Sequence, residues 1–147
     1  MAETIKLKSY ANVQEEMVAA AALFPGHLIE ENTNGKVQKH DSAAGVALAM
    51  FAIEDALQGK EISEAYAIDD VVRAWIPQRG DIVNAVLADG ENVSVGDFLE
   101  SAGDGALQSV TVDSAIVAQA TEALDLSASG ESSGALGADE RIAVRII

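Results

Sequence analysis

The sequence predicts a mainly β protein, a compact β-barrel or sandwich with an extended N-terminal arm and little helix. Three observations carry this reading. Short segments alternate apolar and polar residues at period two. Asn-Gly, Asp-Gly and Gly-Asp pairs recur between them as turn signals. Few stretches show the spacing of an amphipathic helix.

Residues 1–24 are read as an arm followed by a first element. From Thr4 to Lys8 the side chains alternate, with Ile5 and Leu7 on one face and Thr4, Lys6 and Lys8 on the other. This is strand period without a hairpin partner in sequence, so the arm is expected to be loosely held in the free protein. Residues 11–24 fit two elements. Asn12 and Glu15 fit a helix N-cap with its capping-box partner, whereas Met17, Ala19, Ala21 and Leu23 fit one face of a strand. Pro25-Gly26 ends either one.

Residues 25–147 are read as a single β domain. Segments 27–31 and 36–40 flank Asn32-Thr33-Asn34-Gly35 and form a hairpin. Segment 46–53 reads as a buried apolar run. Segment 65–76 is a strand pair or one bent strand, stopped by Pro77. Strands follow at 81–88, 93–95, 98–101 and 106–112, separated by Asp89-Gly90, Gly96-Asp97 and Gly103-Asp104-Gly105. Segment 116–123 alternates weakly, and 127–138 is a Ser/Gly/Ala-rich segment expected to be a mobile loop. Segment 140–147 ends the chain as a regular strand, with Ile142, Val144 and Ile146 on one face and Arg141 and Arg145 on the other. No internal repeat stands out.

Composition narrows the function classes. The chain has 147 residues, 24 acidic against 9 basic, and a net charge of −15. Such a chain is repelled by nucleic-acid backbones and anionic membranes, so neither is expected as a partner. Hydrophobic residues make up 49%, too many for a disordered acidic chain. There is no cysteine, which excludes disulfides, zinc–thiolate sites and thiol catalysis. The apolar run at 17–24 is too short to span a membrane, and Glu15-Glu16 precede it where a signal peptide carries positive charge. A protein made in the cytoplasm, or assembled into something there, is the expectation.

Catalytic and metal patterns are weak. His27 and His40 flank the Asn-Gly turn without a third ligand at a purposeful spacing, and read as exposed hairpin residues. Glu54-Asp55 and Asp69-Asp70 are adjacent in sequence, so in a strand each pair points to opposite faces and makes no carboxylate dyad. The stretch from Gly96 to Gly105 lacks the alternating ligands of a calcium loop. No Gly-x-Ser-x-Gly elbow is present. Arg79-Gly80-Asp81 spells a cell-adhesion tripeptide, but its Gly-Asp also opens a strand. No cofactor or metal is expected. Trp75, the single tryptophan, lies near Arg73 and Pro77 and reads either as the main core ring or as an interface anchor.

One ordered set of segments is more specific. It runs through Pro25-Gly26-His27-Leu28-Ile29-Glu30, then Phe51-Ala52-Ile53-Glu54-Asp55-Ala56-Leu57-Gln58-Gly59-Lys60, then residues 62–66. It continues through Arg79-Gly80-Asp81, residues 86–93, Gly96-Asp97-Phe98-Leu99-Glu100-Ser101 and Gly103-Asp104-Gly105. Over more than half its length the chain thereby resembles the small capsid decoration, or cement, proteins of tailed bacteriophages. The resemblance implies a non-enzymatic virion protein, made in the host cytoplasm, that binds the major capsid protein on the outside of the phage head and stabilises the lattice. It also implies self-association, as a homotrimer at three-fold positions. The arm before Pro25 lies outside the resemblance; its unpartnered alternation and the scarcity of basic residues make Thr4, Ile5, Lys6, Leu7, Lys8 and Tyr10 the expected capsid contacts, and Arg73, Trp75 and Arg79 the expected contacts to a neighbouring subunit. A second likeness, of residues 93–99 to the turns of biotinyl and lipoyl carrier domains, lacks the modified lysine: Lys60 is the sole lysine after residue 39, and its context differs. A β-fold hydrolase lacks a clustered catalytic set.

Overall fold

The computed structural model describes residues 3–10, 12–111, 115–128 and 140–147. These residues are built from short antiparallel strands, with a 3-10 turn at Ala56–Gln58. The expected β class is therefore observed. The Ser/Gly-rich segment lies, from residue 129 on, outside the described residues.

The largest sheet has six strands in the order β1 (Lys6–Lys8), β7 (Ile82–Val86), β13 (Arg141–Ile146), β11 (Ala118–Ala120), β9 (Phe98–Ser101) and β10 (Leu107–Ser109). It bends round until Leu107 bridges Leu87, just beyond β7, and the Ala88 N–H donates to the Leu107 carbonyl at 2.8 Å. The described strands stop short of a closed barrel. A second sheet has the order β2 (Val13–Val18), β6 (Val71–Ile76), β5 (Phe51–Ala52), and β3 (Ile29–Glu31) pairs with β4 (Val37–Lys39) as the expected Asn-Gly hairpin. A short pair joins β12 (Leu124–Asp125) to β8 (Asn92–Val93).

Alternation along β6 and β5 places the second sheet in the middle of three layers. Trp75, Phe51 and Ile53 pack with the six-stranded sheet, against Val83, Ala85, Leu99, Ile142 and Val144. Val72, Ala74, Ala52 and Met50 point the other way, onto Ile29 and Val37 of the hairpin. Of the two elements that fit residues 11–24, strand forms over Val13–Val18, where β2 pairs with β6 from Val13↔Ile76 to Val18↔Val71; beyond it Ala19 and Leu23 make isolated bridges and Ala21 is exposed. Ile142, Val144 and Ile146 are buried, as their spacing predicts.

Four expectations are corrected. The arm finds its partner inside the chain: β1 pairs with β7, Ile5 is fully buried, and the Asn84 N–H donates to the Ile5 carbonyl at 2.8 Å. Sequence distance hid this pairing, because the partner lies more than seventy residues away. His27 and His40 are buried, not exposed, since the hairpin base is covered by the Gly103–Gly105 turn. The apolar run at 46–53 is buried only from Met50, whereas Val46 and Leu48 are 86% and 65% exposed. Arg141, placed by alternation on an outer face, is buried.

Arg141 donates to the Pro25 carbonyl from Nε (3.2 Å) and Nη2 (3.0 Å), and to the Ile62 carbonyl from Nη2 (2.7 Å). Gly26 makes the approach possible: at its φ of +92° a Cβ would lie 3.0 Å from Arg141 Nε and 3.1 Å from the Asn84 carbonyl. Burial lowers the Arg141 pKa, opposed by the charges of Glu140 and Glu54.

Two stability outcomes follow. Val144→Ala removes buried methyl groups from the centre of β13 and should cost on the order of 1–4 kcal/mol. Arg141→Ala strands buried carbonyls and should cost about 2–4 kcal/mol. Denaturant melts of the full chain measure both, and an unchanged midpoint in either variant would contradict the packing described.

Candidate functional site

The described polar side chains are largely engaged in holding loops. Glu54 accepts from the Thr4 hydroxyl and from the Ile5 N–H (3.2 Å), and so fastens the arm. Asp70 Oδ2 accepts from Ala67 N–H at 2.8 Å, and Lys36 pairs with Asp69 at 2.8 Å. Glu100 is fully buried and accepts from the Thr111 N–H (3.1 Å) and hydroxyl (2.6 Å) and from Gln108 (3.0 Å). Asp97 and Asp104 accept from Ser94 N–H (2.9 Å) and Ala106 N–H (3.1 Å). Among the described residues no three His, Asp or Glu side chains converge as metal ligands. No helix there is long and apolar enough to cross a membrane. Lys60 lies in the long connection between β5 and β6, not at a tight hairpin tip.

The adhesion tripeptide is structural. Asp81 is fully buried, and its carboxylate accepts from Tyr10 N–H (3.0 Å) and Gln78 N–H (2.8 Å). Its carbonyl accepts from Ile146 N–H (3.0 Å), and Gly80 N–H donates to the Ile146 carbonyl (2.8 Å). The same bonds fix the 77–81 turn and leave Arg79 exposed at its tip.

The expected contact residues divide. In the arm, Ile5 belongs to the core and is unavailable to a partner, and Thr4 is tied to Glu54. Lys6 and Leu7 are half-buried, with Lys6 Nζ donating to Asn12 Oδ1 (2.8 Å) and lying 5.8 Å from the Trp75 ring centroid. Lys8 and Tyr10 are exposed, the ammonium 5.5 Å from the phenol ring. Trp75 is fully buried between sheets, which removes it from any subunit interface. Arg73 is half-buried and donates to Gln14 Oε1 (2.8 Å). The structure thus separates Arg79 from Arg73 and Trp75 in role.

Sequence reading missed the surface around Val46 and Leu48. This exposed ridge adjoins two grooves that share Ala47, Leu48 and Ile76 as lining, the first mainly apolar and the second of mixed polarity. One, of about 280 Å³, has Met17, Ile29 and Met50 in its lining and Glu15, Glu30 and Glu31 at its edge. The other, of about 400 Å³, is lined by Pro77, Ile146, Ile147 and Arg79. Each groove is assembled from segments far apart in sequence, so no local pattern marks it. The one available signal was the run Ala43-Ala44-Gly45-Val46-Ala47-Leu48, whose small residues and glycine fit a surface crossing as well as a core strand.

His27 sets an acid sensitivity. Its Nδ1 accepts from Phe24 N–H at 3.0 Å, and burial, with the nearby charges of Lys39 and Arg141, pushes its pKa down from 6.5 to about 3. The unfolded chain therefore takes up this proton first. The resulting loss of stability begins as pH falls below about 6.5 and grows until about 3, with a slope of up to about 1.4 kcal/mol per pH unit. His27→Asn keeps an acceptor near the Phe24 N–H and does not titrate. Between about pH 6 and pH 4 its denaturation midpoint should fall less steeply than that of the wild type, and parallel curves would contradict the buried neutral imidazole.

No sequence-family model matches the chain, and no curated protein does. A solved structure does: the N base of the head fiber gp8.5 of bacteriophage phi29, with a TM-score of 0.60 at 11% sequence identity, over 93% of this chain and 95% of that one. At that identity the likeness concerns the fold, and it extends over nearly the whole length of both chains. This mainly β chain therefore has the fold of the base of a phage head fiber.

Proposed function

We propose that this protein is a non-enzymatic structural component of a phage virion, seated on the outer surface of the head, where it binds the major capsid protein and stabilises the lattice as a homotrimer. The observation that carries the reading is the near full-length fold likeness to a head-fiber base. The ordered motif set from Pro25 to Gly105 supports it from the sequence side. So does the engagement of the buried His27, Asp81 and Glu100 in loop contacts.

The capsid-facing element is the outer edge of β1. This strand ends the six-stranded sheet, so its far side offers main-chain groups for strand addition by a capsid segment. Lys6, Leu7, Lys8 and Tyr10 flank that edge, while Thr4 and Ile5 anchor it from behind. Repetition across a trimer multiplies modest contacts through effective concentration.

Co-sedimentation with expanded, empty capsids tests this. The wild type should bind saturably. Lys8→Glu with Tyr10→Ala, both at exposed side chains, should weaken binding by about tenfold or more with the melting midpoint nearly unchanged. Absence of wild-type binding would refute the assignment to the head surface, and full binding by the double variant would refute the β1 edge as the contact.

A further inference from the structure

We infer that the acid-edged groove receives Arg79 of a second copy of this chain, so that copies join head to tail around the Val46–Leu48 ridge. This rests on the homotrimer reading and supplies its contact.

The two grooves adjoin one another at Ala47, Leu48 and Ile76 and differ in their charged side chains. Glu15, Glu30 and Glu31 edge the first, and Arg79 lines the second. A copy that sets its Arg79 groove against the Glu15, Glu30 and Glu31 groove of the next pairs unlike patches. A contact between two unlike patches closes into a ring when the rotation closes. Like grooves meeting would set carboxylates against carboxylates in one case and Arg79 against Arg79 in the other, and either pairing is repulsive.

Arg79 is suited to be the inserted group. No described hydrogen bond or ion pair holds its side chain, whereas Lys36 is paired with Asp69, Arg73 is bonded to Gln14 and Arg141 is buried. It stands at the tip of a turn already fixed by Asp81 and by Ile146, so docking orders its side chain and not the backbone that carries it. The receiving groove matches both halves of an arginine. Met17, Ile29 and Met50 offer an apolar floor for the aliphatic stem. Glu30 is partly engaged by Gln38 (3.0 Å) and by Asp41 N–H (3.3 Å), which leaves Glu15 and Glu31 as carboxylates for the guanidinium fork. The exposed Val46 and Leu48 become covered at the contact, which accounts for apolar side chains standing 86% and 65% exposed on one copy.

Sedimentation of the free full-length protein tests the contact. The wild type should run as three copies of the 15.2 kDa chain. Arg79→Glu should weaken association by about tenfold or more, as should Glu31→Arg. Combining them keeps the net charge at −15 and should restore the trimer. Arg145→Glu, on the exposed side of β13, makes the same charge change as Arg79→Glu and should leave the trimer intact. A trimer indifferent to Arg79→Glu, equal weakening by Arg145→Glu, or no recovery in the double variant overturns the pairing. A wild-type monomer that still binds capsids overturns self-association through this groove while leaving the head-surface role. A trimer with this variant pattern that ignores capsids sustains the contact and overturns that role.

Discussion

The fold depends on a guanidinium held beneath a glycine. Arg141 begins the last strand, yet its side chain reaches the carbonyls of Pro25 and Ile62, in two connections from the first half of the chain. Gly26, between them in space, donates its N–H to Ala52 of the three-stranded sheet (2.8 Å) and accepts from Val86 N–H of the six-stranded sheet (3.1 Å). Any side chain at Gly26 would meet Arg141 and the Asn84 backbone. The close approach of these sheets therefore requires glycine there, and the carbonyls left over by that approach require a rigid, multivalent donor. A lysine would bring one point of charge where the geometry needs a fork.

The same junction extends to the hairpin. His27 turns its unprotonated Nδ1 to the Phe24 N–H, and Leu28 N–H donates to the Gly105 carbonyl (2.7 Å). Gly105 N–H returns a bond to the His40 carbonyl (3.2 Å), and a Cβ at Gly105 would lie about 3 Å from both Lys39 and the His27 ring. On the other side of the turn Ser101 Oγ lies 2.6 Å from His40 Nδ1 and accepts from Gly103 N–H (3.2 Å). The Pro25-Gly26-His27 and Gly103-Asp104-Gly105 segments are thus two halves of one contact.

Local signals were legible and long-range ones were not. Asn32–Gly35 specified its hairpin, and period two specified the buried face of β13, because both depend on residues within a few positions of one another. The partner of β1, the burial of Arg141 and the exposure of Val46 depend on what the rest of the chain brings alongside. Alternation assigned Arg141 to the face opposite Ile142 correctly, but whether that face meets water was decided by the Pro25 turn covering it. Trp75 illustrates the same limit: its type fits a core or an interface equally, and β1 and β13 settled it by packing over the ring. The grooves, built from separate segments, had no local pattern to read.

The acidity of the chain has a structural side as well as a colloidal one. Short strands leave many loop N–H groups without a ladder partner, and a buried or half-buried N–H needs an acceptor. Carboxylates are acceptors with no donor of their own, and their charge strengthens the bond. Asp81 takes the N–H groups of Tyr10 and Gln78, Glu54 that of Ile5, Glu91 that of Ser109, and Glu100 that of Thr111. Asp70, Asp97 and Asp104 do the same for Ala67, Ser94 and Ala106. Much of the excess of 24 acids over 9 bases thus belongs to loop construction rather than to repulsion for its own sake. The cost is a chain that repels its own copies, which long-range fields alone would keep apart at low salt. Self-association of such a chain has to rest on places where the acidic field is locally reversed or excluded. The apolar ridge at Val46 and Leu48, its two grooves and the Arg79 cation at the tip of a turn are such places.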